Sequence, residues 1–481
     1  MFTYRCPRPS YVGHDSLLST GIAVNMARLQ DLPNEIVCEV LSLVLPEDLE
    51  TFAQTSRHIS LLSRPFLEEH RRLIRLHHTL NSYPPPGQAQ HTETRDGFSV
   101  GPIPTLFKDT LRNPRIGHYV ENIKLDIILD IQSDVIRDNN SVEAQELYRK
   151  QRDLIDTAVA QSDVPENRDQ YKHLKDTWPN TEHGGEDLLV ALILPLLPNL
   201  NSLSIKWTSN LESYFAQMIP HGAVTGVPWL ASLKIVRVED CDGGLLTCDL
   251  RLFNSLPSLE SLTAYDVNDG YDSDDEDNDG IEDDEDNIDA ELPIYDSHAT
   301  ELALLRSKVS TQKLYWYLES FRSLQSFTFT YPLSSSVVNN KENFDPCWIR
   351  SALVARAKAT LQTLTILGPP RPDTFMSSLQ AFEALEEVHT EWRFLFPDKC
   401  DLEIWPSRVL PASIHTLKLA DRTDRSDKEY KILIQGLQRA KEKTCLKLDV
   451  VEIVTDWWDV CMEVDELQGM CEEVGISEVQ C

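Results

Sequence analysis

A chain of 481 residues that is 41% hydrophobic can build a large core, and about three domains of ordinary size would fit in it. Its 77 acidic residues against 45 Lys and Arg give a formal net charge of -32. That charge repels nucleic acid and anionic lipid and favours basic partners. The ten cysteines include no C-x-x-C pair, so zinc-ribbon and zinc-finger patterns are absent.

No charged n-region followed by an apolar stretch opens the chain, and no apolar run reaches the roughly 18 residues of a membrane span. With so few cysteines for its length, the protein is expected in a reducing compartment, cytoplasmic or nuclear. Residues 1–27 show no periodicity and are expected to be disordered. Residues 28–80 read as three helical patterns in succession. A loop marked by Pro84, Pro85, Pro86 and Gly87 then makes a linker of 81–101.

Within the first helical segment, Leu29 to Leu67 is the densest constellation. It runs Leu32-Pro33-Asn34-Glu35-Ile36, then Val40, Leu41, Val44, Asp48-Leu49, Phe52-Ala53, Thr55-Ser56-Arg57, Leu61 and Pro65-Phe66. Pro33 suits a first helical turn, where its missing N–H costs nothing, and Glu35 sits near the positive end of the helix dipole. Ile36, Val40 and Val44 share one face at i, i+4, i+8. A second helix starts at Pro46, with Leu49, Phe52 and Ala53 as its apolar face. A third carries Phe66, Leu73 and Leu80 at seven-residue spacing. So small a unit has more apolar residues than three short helices can hide, and a partner or the rest of the chain should cover the excess.

From 102 to 481, short strand-like runs alternate with helical stretches. Each run has apolar residues three apart and then one two positions on. Val120, Ile123 and Leu125 give the first; Leu200, Leu203 and Ile205 the second; Leu230, Leu233 and Ile235 the third. Leu259, Leu262 and Ala264 are weaker. Leu324, Phe327 and Phe329, then Leu361, Leu364 and Ile366, are clear. Leu385, Val388 and Thr390 are weak, Ile414, Leu417 and Leu419 clear, and Leu446 with Leu448 is a last candidate. Leu203 to Leu233 to Leu262, and Leu364 through Val388 and Leu417 to Leu446, step by about 24 to 30 residues, close to the leucine-rich-repeat period. The reading is a solenoid with one parallel sheet, paired in sequence order, whose first two apolar positions point into the core and whose last belongs to a short parallel strand on the concave face.

Two stretches interrupt the repeat. A polar insertion holds a helical pattern at 141–159. Fifteen Asp or Glu with no Lys or Arg fill 266–291, which like-charge repulsion should keep disordered. A helix carrying Leu302, Leu305, Leu314, Trp316 and Leu318 is expected after it. At the end, Trp457, Val460, Cys461, Val464, Leu467, Cys471 and Val474 form an amphipathic stripe suited to a terminal cap.

The Leu29–Leu67 string resembles the F-box: a Leu-Pro-x-Glu-Ile opening, aliphatics at helical spacing, an Asp-Leu pair, and an aromatic-Ala-x-x-Ser-Arg segment. The Trp that many members carry after the Arg is replaced by aliphatics at Ile59 to Leu62. Asn113-Pro114-Arg115 to Tyr119-Val120, followed by a strand, is similar to filamentous-fungal F-box proteins. The resemblance implies a three-helix F-box that binds the Skp-type linker subunit of an SCF ubiquitin ligase, followed by a leucine-rich-repeat-like array that recruits a protein substrate. Carried over by position, Leu32, Pro33, Ile36, Val40, Leu49, Phe52 and Ala53 would face the linker or support that face. The cullin scaffold is the implied second partner. A scaffold that binds the linker without ubiquitin transfer is the alternative.

No pattern in the sequence argues for catalysis, a cofactor or a metal. Asp275, Asp277, Asp279 and Gly280 mimic an EF-hand loop, but Asp286 stands where its last ligand should be Glu. His183-Gly184-Gly185 has no G-x-S-x-G elbow to accompany it. Trp207, Trp229, Trp392 and Trp405 are expected mainly in the core, with the binding face as the alternative.

Overall fold

The computed structural model describes residues 32–81, 102–125, 156, 190, 193–207, 230–240, 245–268, 296–332, 344–368, 375–397, 400–421, 427–444 and 447–455. The N-terminal 1–27, the linker beyond Asn81, the helical pattern at 141–159 apart from Asp156, the acidic tract beyond Asn268 and the stripe at 457–474 lie outside them. So do Trp229 and the His183 and Asp275 patterns. The chain divides into two units after Arg71.

The first unit is helical. It holds α1 (Asn34–Leu43), α2 (Pro46–Ala53), α3 (Arg57–Leu62) and the start of α4 (Arg64–His77), within which the division falls. Pro33 occupies the N-cap of α1, not its first turn, and its carbonyl accepts the N–H groups of Ile36 and Val37. Pro46 begins α2 with Glu47 and Asp48 behind it, where proline lacks nothing and acids meet the helix dipole. The Ser56 hydroxyl caps α3 by accepting the Ile59 N–H at 3.2 Å. Val37, Leu41, Leu49 and Ile59 make its small core. The single third helix expected from Phe66, Leu73 and Leu80 is two helices broken at Ser63, and it ends at His77. Leu80 belongs to a strand.

Among its described residues the second unit is α/β: an open sheet of eleven strands, all parallel, each paired with the next in sequence. They are β1 (Thr79–Asn81), β2 (Asn122–Leu125), β3 (Ser202–Trp207), β4 (Ile235–Asp240), β5 (Ser261–Tyr265) and β6 (Glu301–Leu305). Then come β7 (Ser326–Thr330), β8 (Thr363–Leu367), β9 (Glu387–Glu391), β10 (Thr416–Asp421) and β11 (Val450–Thr455). Helices α5 (Pro102–Arg112), α6 (Thr247–Asn254), α7 (Thr311–Leu318), α8 (Pro346–Ala357), α9 (Trp392–Leu395), α10 (Pro406–Val409) and α11 (Asp427–Thr444) lie in the returns. The order is that of a solenoid-like arrangement, in which each repeat leans on its neighbours.

A repeated backbone device aligns the strands. The carbonyl just before each strand from β1 to β10, from His78 to His415, accepts two successive N–H groups of the following repeat, at 2.7–3.2 Å. No orphan donor is left where a return becomes a strand. Above this row runs an apolar one: Ile123, Leu203, Val236, Leu262, Leu302, Phe327, Leu364, Val388, Leu417 and Val451 are register partners and all are buried. The position two residues on is buried as well, from Leu125 to Ile453. The third apolar residue of each repeat therefore faces the core, not the opposite side. Only the intervening residues, such as Ser204, Thr263, Thr328 and Thr365, line the outer face. Thr390 takes a core position and donates its hydroxyl to the Ile366 carbonyl at 3.0 Å, which removes the cost of burying it.

Four sequence expectations shift. The third repeat is Leu233, Val236 and Val238, and Ile235 points outward with 43% of its surface exposed. The last is Leu448, Val451 and Ile453. Residues 301–305 form β6, not the start of a helix, and the helix begins only at Thr311. Asp266 to Asn268, counted in the acidic tract, instead close β5: the Asp266 N–H donates to the Leu305 carbonyl at 2.9 Å.

The returns pack closely. Gly436, inside α11, lies against the Leu402 backbone carbonyl so tightly that a Cβ would overlap it. Ala for Gly in a helix ordinarily stabilises by about 1 kcal/mol. Here Gly436→Ala is expected to destabilise by about 1–3 kcal/mol, because backbone must move to admit the methyl. Urea unfolding followed by circular dichroism checks the sign. A midpoint at or above that of the wild type would contradict the packing.

Candidate functional site

In the first unit, α1 carries two adjacent apolar stripes. Val37 and Leu41 turn inward to Leu49 and Ile59 and are fully buried. Ile36, Val40 and Leu43, at i, i+4 and i+7, form the second stripe. Among the described residues Ile36 stays 42% exposed and Leu43 76% exposed, with Val40 half-buried between them. Leu45 and Leu61 add further exposed apolar surface at the end of α1 and on α3. Glu35 and Glu39 are exposed on α1, and Glu47 and Glu50 on α2. The chemistry offered is apolar contact flanked by carboxylates, which suits a partner with an apolar groove and basic flanks.

The seven residues singled out in the sequence divide accordingly. Pro33 and Ile36 are exposed and Val40 is half-buried on the open stripe. Leu32 and Phe52 are half-buried and pack against the small core. Leu49 and Ala53 are interior, with 0% and 4% exposure, so they can support a docking face but not touch a partner. Val44 lies past the end of α1 and packs on the core, not on the Ile36 stripe. Leu43 and Leu45 were missed as candidates. The seven-residue step from Ile36 to Leu43 was the available signal.

The second unit offers the outer face of its sheet. On its C-terminal half, Lys418 bridges Glu387 at 3.6 Å and Glu452 at 3.3 Å, and its pKa is raised chiefly by the hydrogen bond to Glu452. His389 stands beside them, one strand over, opposite Thr365 on β8. Burial lowers its pKa first, the Lys418 charge lowers it further, and Glu452 and Glu387 oppose. The folded protein thus holds His389 neutral where the unfolded chain would protonate it. Its contribution is whole above the ordinary value of 6.5 and is lost as pH falls below that value. His389→Asn is therefore expected to lose less stability than the wild type between about pH 7.5 and pH 5.5, the range in which an ordinary His titrates, in paired urea titrations. Equal losses would refute the assignment.

Trp392 is buried, Trp405 packs on the core with its indole N–H donating to the Leu395 carbonyl at 2.7 Å, and the most exposed described indole is Trp348. Among the described residues no group of three or more His, Cys, Asp or Glu is placed to hold a metal ion, and no helix is long and apolar enough to cross a membrane. No protein-family model matches the sequence, and comparison with curated proteins gives no significant match.

Proposed function

We propose that this chain is the substrate-recognition subunit of an SCF-type cullin-RING ubiquitin ligase. In this reading the N-terminal helices are an F-box that docks on the Skp-type linker. The strand array is a leucine-rich-repeat-like receptor for a protein substrate, and the cullin scaffold completes the complex in the cytoplasm or nucleus. The observation that supports it is the uncovered Ile36–Val40–Leu43 stripe of α1, on the segment whose Leu-Pro-x-Glu-Ile opening resembles the F-box. The chain itself is a non-catalytic adaptor. It contributes proximity, holding substrate at a raised effective concentration beside a ubiquitin-charged enzyme.

Calorimetric titration of the purified chain with the Skp-type linker of its source organism tests the docking step. One-to-one binding with a Kd below about 1 μM, roughly 8 kcal/mol of association free energy, is expected. No heat and no complex on gel filtration at tens of micromolar would overturn the reading.

A further inference from the structure

We propose that the outer face of the sheet between β2 and β7 is a docking groove for an acidic peptide segment, held by Lys124 and Arg237. The groove encloses about 540 Å³ and runs from Lys124 past Ser204 and Arg237 to Tyr265, Leu305 and Thr330. It crosses six strands, about 24 Å at the spacing of a sheet.

Lys124, Ser204 and Arg237 are register partners on β2, β3 and β4. The two cations therefore rise two strand spacings apart, about 9.6 Å at the backbone, over a serine too short to come between them. Neither makes an ion pair among the described residues. Other cations around the sheet do: Lys418 with Glu387 and Glu452, Lys234 with Glu260 at 2.8 Å, and Arg306 with Asp266 at 2.6 Å. Among the described residues these two cations have no carboxylate partner, in a chain of net charge -32.

The carboxylates at the groove wall meet a third cation. Asp266 and Arg306 follow β5 and β6, and both adopt left-handed backbone, φ 57° and 54°, a conformation that costs side-chain-bearing residues energy. That turn sets the Arg306 guanidinium against Asp266, with Glu239 at 3.9 Å, so the nearby carboxylates are engaged by Arg306. The Tyr265 ring lies under both guanidinium groups, 5.8 Å from Arg237 and 5.7 Å from Arg306. Leu305 supplies an apolar contact beside them.

Charge complementarity selects an occupant with carboxylates. A polyproline-II segment places residues i and i+3 on one side about 9.3 Å apart, which matches the spacing of Lys124 and Arg237. Screening over about 8 Å lets a short acidic segment meet these cations without feeling the whole chain. A polynucleotide, a longer polyanion, would meet the net charge of -32 and be repelled. In the adaptor reading this is the substrate's seat. The proposal rests on the sheet alone, and its test involves no linker, so the two can fail separately.

The test is fluorescence anisotropy of the full chain with a labelled Pro- and Ala-rich nonapeptide carrying two aspartates three residues apart. Saturable binding is expected, weakening as salt is raised. The peptide with both aspartates changed to asparagine, and the Lys124→Ala and Arg237→Ala variants, should each bind about tenfold more weakly or worse, the scale of one charge-assisted hydrogen bond. Both side chains are exposed, so the variants should melt with the wild type. Absence of binding at millimolar peptide, equal binding of the asparagine peptide, unchanged affinity of the variants, or tighter binding of an oligouridylate of equal length would each overturn the proposal.

Discussion

Ile36→Asp combined with Leu43→Asp is expected to weaken binding of the Skp-type linker at least about 100-fold while the melting transition stays in place. Both side chains are solvent-exposed on the open stripe of α1, so the substitutions remove nothing from the interior. Each apolar group buried at a contact contributes about 1.5–3 kcal/mol, and a carboxylate put in its place must also be desolvated. Two such losses exceed about 3 kcal/mol, which is more than 100-fold in affinity. Leu49→Ala is the informative contrast. Leu49 is fully buried, and its truncation should cost about 2–5 kcal/mol of stability and lose binding by unfolding the unit. Leu32→Ala would mix the two effects, because Leu32 packs on the small core. Calorimetry for the linker, with circular dichroism melts of the same samples, separates them. Wild-type affinity in the double aspartate variant would remove the stripe from the contact.

The largest stability effect is expected at Phe329. This β7 side chain is fully buried and stacks on Phe344 at 5.5 Å with the rings nearly parallel. Phe344 in turn meets Tyr331 and, across to α9, Phe394 at 5.7 Å. Phe329→Ala removes one ring and opens a cavity among the others, at a cost of about 3–5 kcal/mol. Phe329→Leu keeps most of the volume and should cost less than about half of that. Because a repeat array couples mainly through neighbours, loss of hydrogen-exchange protection should concentrate in β6 to β9. Uniform loss from β1 to β11 would argue for one indivisible core instead.

The sheet was legible where the repeat carried large aliphatics at every inward position, as at Leu200, Leu203 and Ile205. It was misread where another apolar residue imitated the pattern. Ile235 follows Leu230 and Leu233 at the right spacing, yet it opens β4 on the outer face, and the true repeat continues to Val236 and Val238. Strand β6 was lost because the apolar position that precedes it in the repeat is only Ala299, and Leu302 with Leu305 then read as a helical step. Strand β1 offered only Leu80, which fell into the helical period of α4. The polar residues that precede each strand, from His78 to His415, act through their backbone carbonyls, which side-chain patterning does not reveal.

The open apolar stripe of α1 was legible as a surplus and not as a geometry. The sequence showed more apolar residues than three short helices could hide. Two apolar stripes lie side by side on α1, however, and only the packed helices decide which one is covered. Val37 and Leu41 went inward, so Ile36, Val40 and Leu43 stayed out. The charged groove was not legible at all, since Lys124, Arg237 and Arg306 lie far apart in the chain and meet only through strand register.

Affinity purification of the tagged chain from cells of its source organism, with cullin neddylation blocked, decides whether the chain assembles into a ubiquitin ligase. The Skp-type linker and a cullin are expected to be recovered together with the wild-type chain, and both to be lost with the Ile36→Asp, Leu43→Asp variant. Recovery of the linker without a cullin would contradict ubiquitin-ligase assembly and favour a linker-binding scaffold. Recovery of neither with the wild-type chain would contradict the docking of α1 itself.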